Sequence, residues 1–166
     1  MASPPERFNN FLKSSDFVFV VYYRGHWCPF CTLSLKQLHE IESNIVAAHG
    51  TPLIVTAEVE THLGAIRSQT GYTGDAIVDP ENLLASDLKR RGLLDVAISD
   101  KAGYEHGMAQ PAVLVMQKDG TVVYQWAIVP SLIWENAQAQ MGGKAAVHTT
   151  YSTLRLWQGL KLKIFG

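Results

Sequence analysis

The chain has 166 residues, of which 47% are hydrophobic and 17% charged, and its formal net charge is −1. This length suits one domain with a sizeable core, and the composition excludes a disordered chain. The near-neutral charge argues against binding to nucleic acid, which needs an excess of basic residues. No run of about 18 apolar residues predicts a membrane span, and no apolar signal core follows Met1. We therefore expect a cytoplasmic protein that binds neither nucleic acid nor membrane.

The first half of the chain predicts helices and strands that alternate. The segment from Phe17 to Tyr23 is apolar throughout and predicts a central strand that is buried on both faces. Two more strands are predicted at 53–57 and 76–78. Helices are predicted at 5–14, 29–49, 61–70 and from Asp79-Pro80 to about Arg91. This order implies a parallel sheet with right-handed crossovers.

The second half of the chain predicts a different pattern. Residues 93–110 predict a long irregular stretch. Two apolar runs, 112–116 and 121–126, flank Lys118-Asp119-Gly120, and this arrangement is a strong signal for an antiparallel hairpin. Helices are predicted at 134–141 and 151–162.

These elements together predict one α/β domain over residues 1–166. Its central sheet is mixed, with parallel strands and a C-terminal antiparallel hairpin, and helices flank it. The core covers about 10–128, and a helical extension covers about 130–166. We expect this extension to pack on the core or to form the face of a homodimer, because apolar residues at helical spacing are usually buried.

The two cysteines of the chain both lie in Cys28-Pro29-Phe30-Cys31. A disulfide across so short a loop removes little chain entropy, so it is a poor structural crosslink. The motif follows a buried strand and begins a helix, where unpaired N–H groups and the helix dipole favour a thiolate at Cys28. Cys31, one turn later, can then close a disulfide. We predict both cysteines as catalytic, with Pro29 stiffening the turn and Trp27 shielding the sulfurs.

Other interpretations of the cysteine pair stay open. The pair could supply half of a zinc site, although structural zinc usually takes four ligands and a second Cys-x-x-Cys is missing. His26 and His106 complete such a set only if the fold brings them together. The pair could also be inert and buried. Redox chemistry is the favoured prediction, with no metal and no cofactor.

Several polar residues near the motif are secondary candidates. A positive charge on Arg24 or His26 beside Cys28 would favour its thiolate, although both residues could be ordinary exposed loop residues. Tyr23 is a candidate substrate contact. Glu58 is another, because it follows a strand at the sheet edge where open α/β sheets bind ligands. The competing interpretation of Glu58, which its position favours, is an acid at the start of the next helix.

The chain resembles the thioredoxin superfamily, and in particular the alkyl hydroperoxide reductase/thiol-specific antioxidant branch of peroxiredoxin-like proteins. The resemblance spans about residues 10–128 and is carried first by Val-Tyr-Tyr-Arg-Gly-His-Trp-Cys-Pro-Phe-Cys at 21–31. Asp79-Pro80-Glu81 before a helix and Gln110-Pro111-Ala112 before the hairpin also match. The resemblance implies a thioredoxin-like fold and a cis-proline at Pro111 that packs against the cysteine motif and shapes the site.

One motif of the family is not reproduced, namely the peroxide-binding Pro-x-x-x-Thr-x-x-Cys. With Cys31 at the peroxidatic position, Arg24 and Cys28 take the proline and threonine positions. With Cys28 there instead, Val21 and Gly25 take them. The family's activating arginine is also missing from the later strand, where this chain has Gln110, a candidate substrate contact. Arg24, which follows the first strand, is a candidate substitute for that arginine.

The predicted function is therefore thiol–disulfide exchange by a redox-active dithiol at a helix amino-terminus. A peroxiredoxin-like thiol peroxidase is one alternative. A thioredoxin-fold protein recruited to ligand binding, metal binding or a non-redox reaction on a metabolite is another. The predicted partners are an external thiol reductant, either a thioredoxin-like protein or glutathione, and a disulfide or peroxide substrate.

Overall fold

The computed structural model describes residues 1–128, so the helices predicted at 134–141 and 151–162 and the dimer role suggested for them lie outside the described residues. The helices are α1 (Pro4–Ser14), α2 (Pro29–Ala47), a 3-10 helix (Glu60–His62), α3 (Leu63–Thr70) and α4 (Leu83–Arg90). The strands are β1 (Phe17–Tyr22), β2 (Gly50–Thr56), β3 (Asp75–Val78), β4 (Ile98–Lys101), β5 (Tyr104–Ala109), β6 (Ala112–Gln117) and β7 (Val122–Ala127). Over this part of the chain, no helix is long and apolar enough to cross a membrane.

Five strands form a mixed sheet in the order β3-β2-β1-β6-β7. β1 is parallel to β2 and antiparallel to β6, and the β6–β7 pair is the antiparallel hairpin that the sequence predicts. All six residues of β1 are buried, which is why its sequence is apolar at every position. The predicted mixed sheet is confirmed.

The two faces of β1 belong to two separate cores. Val18 and Val20 point into a core completed by α1 and α4. Phe19 and Val21 point into a second core, completed mainly by α2 and α3. The strand alternation therefore places one helix pair on each side of the sheet. The second core also contains both cysteines.

The prediction of an irregular stretch over 93–110 is wrong for most of its length. β4 and β5 pair antiparallel in a separate two-stranded sheet, with Ile98 opposite Ala109 and Lys101 opposite Tyr104. A register shift between Ser99 and Lys101 interrupts the pairing. No residue of β4 is buried and only the last three of β5 are, so no alternation of apolar and polar residues marks the strands in the sequence.

The amino-terminus of α4 also differs from the prediction of a helix that begins at Asp79-Pro80. The helix begins at Leu83, because Asn82 has a positive φ of 55° and interrupts the helical path. The Asp79 carboxylate accepts hydrogen bonds from the backbone N–H groups of Leu83 at 2.9 Å and Leu84 at 2.8 Å. Asp79 therefore caps the helix from a position four residues before it.

The cis-proline that the resemblance implies at Pro111 is not found, since no peptide bond among residues 1–128 is cis. Gln110 and Pro111 directly connect β5 to β6. The Gln110 N–H donates to the Ala97 carbonyl at 2.8 Å, and the Pro111 carbonyl accepts from Ile128 N–H at 3.4 Å. Hydrogen bonds thus hold both residues of the connection, and the proline adopts the ordinary trans form.

We expect Asp79→Ala to lower the free energy of unfolding by about 1–3 kcal/mol, because two N–H groups at the start of α4 lose their acceptor. Chemical denaturation measures the effect. The matched control is Glu81→Ala, which removes an exposed acid two residues away and should change stability by less than about 0.5 kcal/mol. Equal stability of the two variants would contradict the capping role of Asp79.

Candidate active site

Cys28 occupies the N-cap of α2, the position that the sequence predicts for the first cysteine. Its φ of −87° and ψ of 110° are extended, and Pro29 follows in the first turn of the helix. The Cys31 N–H donates a hydrogen bond to the Cys28 sulfur at 3.3 Å. Both cysteines are free thiols and both are buried, with Cys28 1% and Cys31 3% exposed.

The two sulfurs have opposite acidities. The hydrogen bond from the Cys31 thiol lowers the pKa of Cys28 to about 6, and the Cys31 N–H and the Arg24 guanidinium act in the same direction against the effect of burial. Burial raises the pKa of Cys31 well above its ordinary value, and its hydrogen bond and proximity to Cys28 raise it further. The pair therefore holds one proton at neutral pH, and that proton stays on Cys31.

Arg24 lies beside both cysteines, as the sequence suggests. Its backbone N–H donates to the Cys31 sulfur at 3.3 Å, and its Nε donates to Gln110 Oε1 at 2.8 Å. Gln110 is buried, and its Nε2 donates to the Ser99 hydroxyl at 3.0 Å. Gln110 thus reaches the cysteines through Arg24, which it holds in place from the β5–β6 connection.

His26 and Glu58 are brought together at the same edge of the sheet. The two carboxylate oxygens of Glu58 both face His26: Oε2 accepts its backbone N–H at 2.9 Å, and Oε1 lies 2.5 Å from its Nδ1. The interpretation of Glu58 as an acid that caps the next helix is wrong. The N-cap residue of the 3-10 helix is Val59, and no side chain forms a capping hydrogen bond there. The carboxylate instead anchors the loop that leads to Cys28.

Trp27 lies against the β4–β5 hairpin, and 43% of its surface is exposed. Its Nε1 donates to the Tyr104 hydroxyl at 2.8 Å, and the Lys101 ammonium lies 4.6 Å from its ring centre. The Tyr104 hydroxyl in turn donates to the Arg24 carbonyl at 2.8 Å. Burial raises the pKa of Tyr104 against the effect of the Trp27 hydrogen bond, and the charges of Glu58 and the Cys28 thiolate raise it further. The shielding of the sulfurs by Trp27 stays a prediction.

Tyr23, a predicted substrate contact, is buried in the same core as the cysteines. Burial raises the pKa of its hydroxyl, and the nearby charge of Glu58 raises it further. The residue is therefore a neutral neighbour of the site at any physiological pH. The structure places it inside the core and not on a surface that meets solvent.

Gly25 leaves room for these side chains to converge. A Cβ at this position would lie 2.5 Å from Trp27 Nε1, 2.6 Å from the Tyr104 oxygen and 2.8 Å from Glu58 Oε1. Each of these distances is shorter than real Cβ contacts allow, so only glycine fits without a shift of its neighbours.

Two residues of this neighbourhood, Tyr104 and His62, are missing from the sequence-based candidates. The ring of His62 stacks on His26 with 4.2 Å between centroids and an interplanar angle of 14°. Tyr104 lies in the stretch that the sequence predicts as irregular, so no local pattern indicates it. His62 follows Glu58 by four residues, and this Glu-x-x-x-His spacing is the only local pattern that indicates it as a neighbour of Glu58. His106, considered as a zinc ligand, is exposed on β5.

Comparison with solved structures gives the same fold. The structure is similar to the peroxidoxin BcpB of Mycobacterium tuberculosis, with 10% identity, a TM-score of 0.59 and coverage of 82% of this chain and 84% of that one. A cysteine mutant of peroxiredoxin 6 from Arenicola marina matches at 15% identity and a TM-score of 0.57, covering 75% of this chain and 57% of that one. The bacterioferritin comigratory protein of Xanthomonas campestris matches at 12% identity and 0.56, covering 80% and 81%.

No curated protein matches the chain significantly. A family model does match, over residues 7–125, and it describes the AhpC/TSA family. This match covers β1 to β6, both cysteines and the whole neighbourhood described above. The chain therefore belongs to the AhpC/TSA family, and it is an oxidoreductase with a thioredoxin-like, peroxiredoxin-like fold.

Proposed function

We propose that the protein is a thiol–disulfide oxidoreductase that cycles between a Cys28/Cys31 dithiol and the corresponding disulfide. The observation that carries this proposal is the Cys28 sulfur at the N-cap of α2, with its pKa lowered to about 6. At pH 7 most Cys28 is then thiolate, which is the form that attacks disulfides. A low pKa also makes Cys28 a good leaving group when the disulfide is reduced again.

The first step is attack of the Cys28 thiolate on one sulfur of a substrate disulfide. The substrate S–S bond breaks, its other sulfur leaves as a thiolate, and a mixed disulfide forms. Cys31 then gives up its proton and attacks the Cys28 sulfur, which releases the second substrate thiol. Two electrons pass from the dithiol to the substrate, and the Cys28–Cys31 disulfide remains.

The opposite pKa shifts of the two cysteines suit this sequence of steps. While Cys28 is a thiolate, its charge and its hydrogen bond help to raise the pKa of Cys31. Formation of the mixed disulfide removes that charge, so one cause of the raised pKa disappears when Cys31 must act. The second cysteine is thus held in reserve until the first has reacted.

Arg24 and Gln110 support the nucleophile in this proposal. The Arg24 guanidinium helps to lower the pKa of Cys28, and Gln110 holds the guanidinium through its 2.8 Å hydrogen bond. The family's activating arginine is missing from the later strand. Arg24 instead supplies a positive charge near the Cys28 sulfur from the loop that follows β1.

A second candidate oxidant is a hydroperoxide, and the burial of Cys28 favours it. A cysteine that is only 1% exposed is reached more easily by a small peroxide than by a protein disulfide. The solved relative from Xanthomonas campestris carries an alkyl peroxide reduction activity. Here the Cys28 thiolate would attack one peroxide oxygen, the O–O bond would break and the alcohol would leave after taking a proton. The resulting sulfenic acid and the Cys31 thiol would condense to the disulfide and water.

The partners and the location follow from the same chemistry. Either oxidant leaves a disulfide that an external thiol must reduce, and a thioredoxin-like protein or glutathione is of that class. Such reductants keep cytosolic thiols reduced, so a cytoplasmic location belongs to this proposal.

The acidity of Cys28 is measured by its alkylation with iodoacetamide as a function of pH. We expect a midpoint near 6 for the wild-type chain, with reactivity lost below this pH because the thiol is protonated. Arg24→Met should raise the midpoint by about 1 unit, because a positive charge is removed. Arg90→Met removes an arginine that is 76% exposed on α4, and should leave the midpoint unchanged. A wild-type midpoint near 8.5, the value of an ordinary thiol, would contradict the proposal.

The two candidate oxidants are separated by activity measurements on Cys28→Ser and Cys31→Ser. For disulfide exchange, we expect the wild-type chain to reduce insulin disulfides and both variants to lose turnover. For peroxide reduction, Cys28→Ser should be inactive, whereas Cys31→Ser should consume about one peroxide per chain and stop at the sulfenic acid. If the wild-type chain reduces neither substrate, the redox proposal is wrong.

A further inference from the structure

Two histidines and a glutamate meet at the carboxyl edge of the sheet. His26 follows β1, and Glu58 and His62 follow β2. Since β1 and β2 are parallel neighbours, the segments after them emerge at the same edge, where open α/β sheets bind ligands. One nitrogen or oxygen ligand atom from each of the three residues lies within 4.8 Å of the others.

The arrangement of the three side chains combines a fixed anion with two accessible imidazoles. Glu58 is buried, and the backbone N–H of His26 holds its Oε2. The rings of His26 and His62 are stacked and only partly buried. The nitrogen lone pairs of stacked imidazoles lie in their ring planes and run side by side, so a ring must rotate to direct them to one point beside the carboxylate.

We propose that His26, Glu58 and His62 bind a divalent transition-metal ion such as Zn²⁺. Two imidazoles and one carboxylate, with a fourth position open to solvent, match the ligand set of catalytic zinc sites more closely than that of structural ones. Nitrogen and oxygen ligands also suit this class of ion better than Ca²⁺ or Mg²⁺, which prefer oxygen alone.

The geometry sets what must move when the ion binds. Metal–ligand bonds of about 2.0–2.2 Å hold ligand atoms about 3.3 Å apart in a tetrahedral site. Ligand atoms that lie up to 4.8 Å apart must therefore converge by at most about 1.5 Å, whereas His26 Nδ1 and Glu58 Oε1, which lie 2.5 Å apart, must separate slightly. Rotation of the two partly exposed histidines supplies both movements. The ion also replaces the proton between His26 Nδ1 and Glu58 Oε1.

This site is not the zinc site that the Cys-x-x-Cys motif leaves open, and an ion bound here would contradict the prediction of no metal. That zinc site combined the two cysteines with His26 and His106. The set proposed here contains no cysteine, and His106 is exposed on β5. The two sets share only His26, and an ion bound to the set proposed here leaves the two thiols free to react.

The test measures Zn²⁺ binding by isothermal titration calorimetry to an untagged chain that carries Cys28→Ser and Cys31→Ser. These two changes remove thiol ligands, so binding reports only the proposed site. We expect one Zn²⁺ per chain. In this background, His62→Ala should weaken the affinity by at least about tenfold, because one of three ligands is lost. Glu58→Gln should weaken it as well, since it removes the anionic ligand.

The matched control is His106→Ala, which removes a histidine on the exposed side of β5 and should leave the affinity unchanged. Absence of Zn²⁺ binding, or an equal loss in the His62→Ala and His106→Ala variants, would overturn the proposal. Zn²⁺ should also raise the denaturation midpoint of the parent but not that of His62→Ala. A cooperative unfolding transition of His62→Ala shows that this variant is folded. Because the parent lacks both thiols, these results do not depend on the proposed redox function.

Discussion

The position of the site depends on the constraint imposed on β1. This strand pairs with β2 on one side and β6 on the other, and its six residues are buried on both faces. Its end therefore cannot shift without breaking two ladders and two cores. Only five residues lie between Tyr22, the last residue of β1, and Cys28 at the N-cap of α2. The sheet thus fixes where the helix begins and where the Cys28 sulfur meets the unpaired N–H groups.

Contacts from elsewhere in the chain hold the short loop between β1 and α2. Tyr104 donates to the carbonyl of Arg24, Gln110 accepts from its side chain, and Glu58 accepts from His26. Two of these partners come from the second half of the chain. The β4–β5 hairpin is therefore part of the neighbourhood of the dithiol. Glycine fits at position 25 because a Cβ there would collide with Trp27, Tyr104 and Glu58.

The local patterns of the sequence predict much of the fold and part of the site. The apolar run of β1, the Cys-x-x-Cys motif at a helix start and the Asp119-Gly120 hairpin signal each act over a few residues, and the structure contains all three elements. The sequence does not predict the β4–β5 hairpin, because β4 has no buried residue and the strands pair with an irregular register. The sequence predicts the start of α4 too early, because nothing in the sequence indicates that Asn82 adopts a left-handed conformation.

The sequence alone determined that the chain carries a dithiol at the junction of a buried strand and a helix, because both signals are local. Only the tertiary structure decided which groups surround the sulfurs. Arg24 and Gln110 are far apart in the sequence yet share a hydrogen bond at 2.8 Å, and Glu58 turned towards His26 instead of capping a helix. The trans bond at Pro111 and the stacking of His62 on His26 likewise depend on how separate segments pack. Such contacts are set by the meeting of strand ends and loops, which no short stretch of sequence encodes.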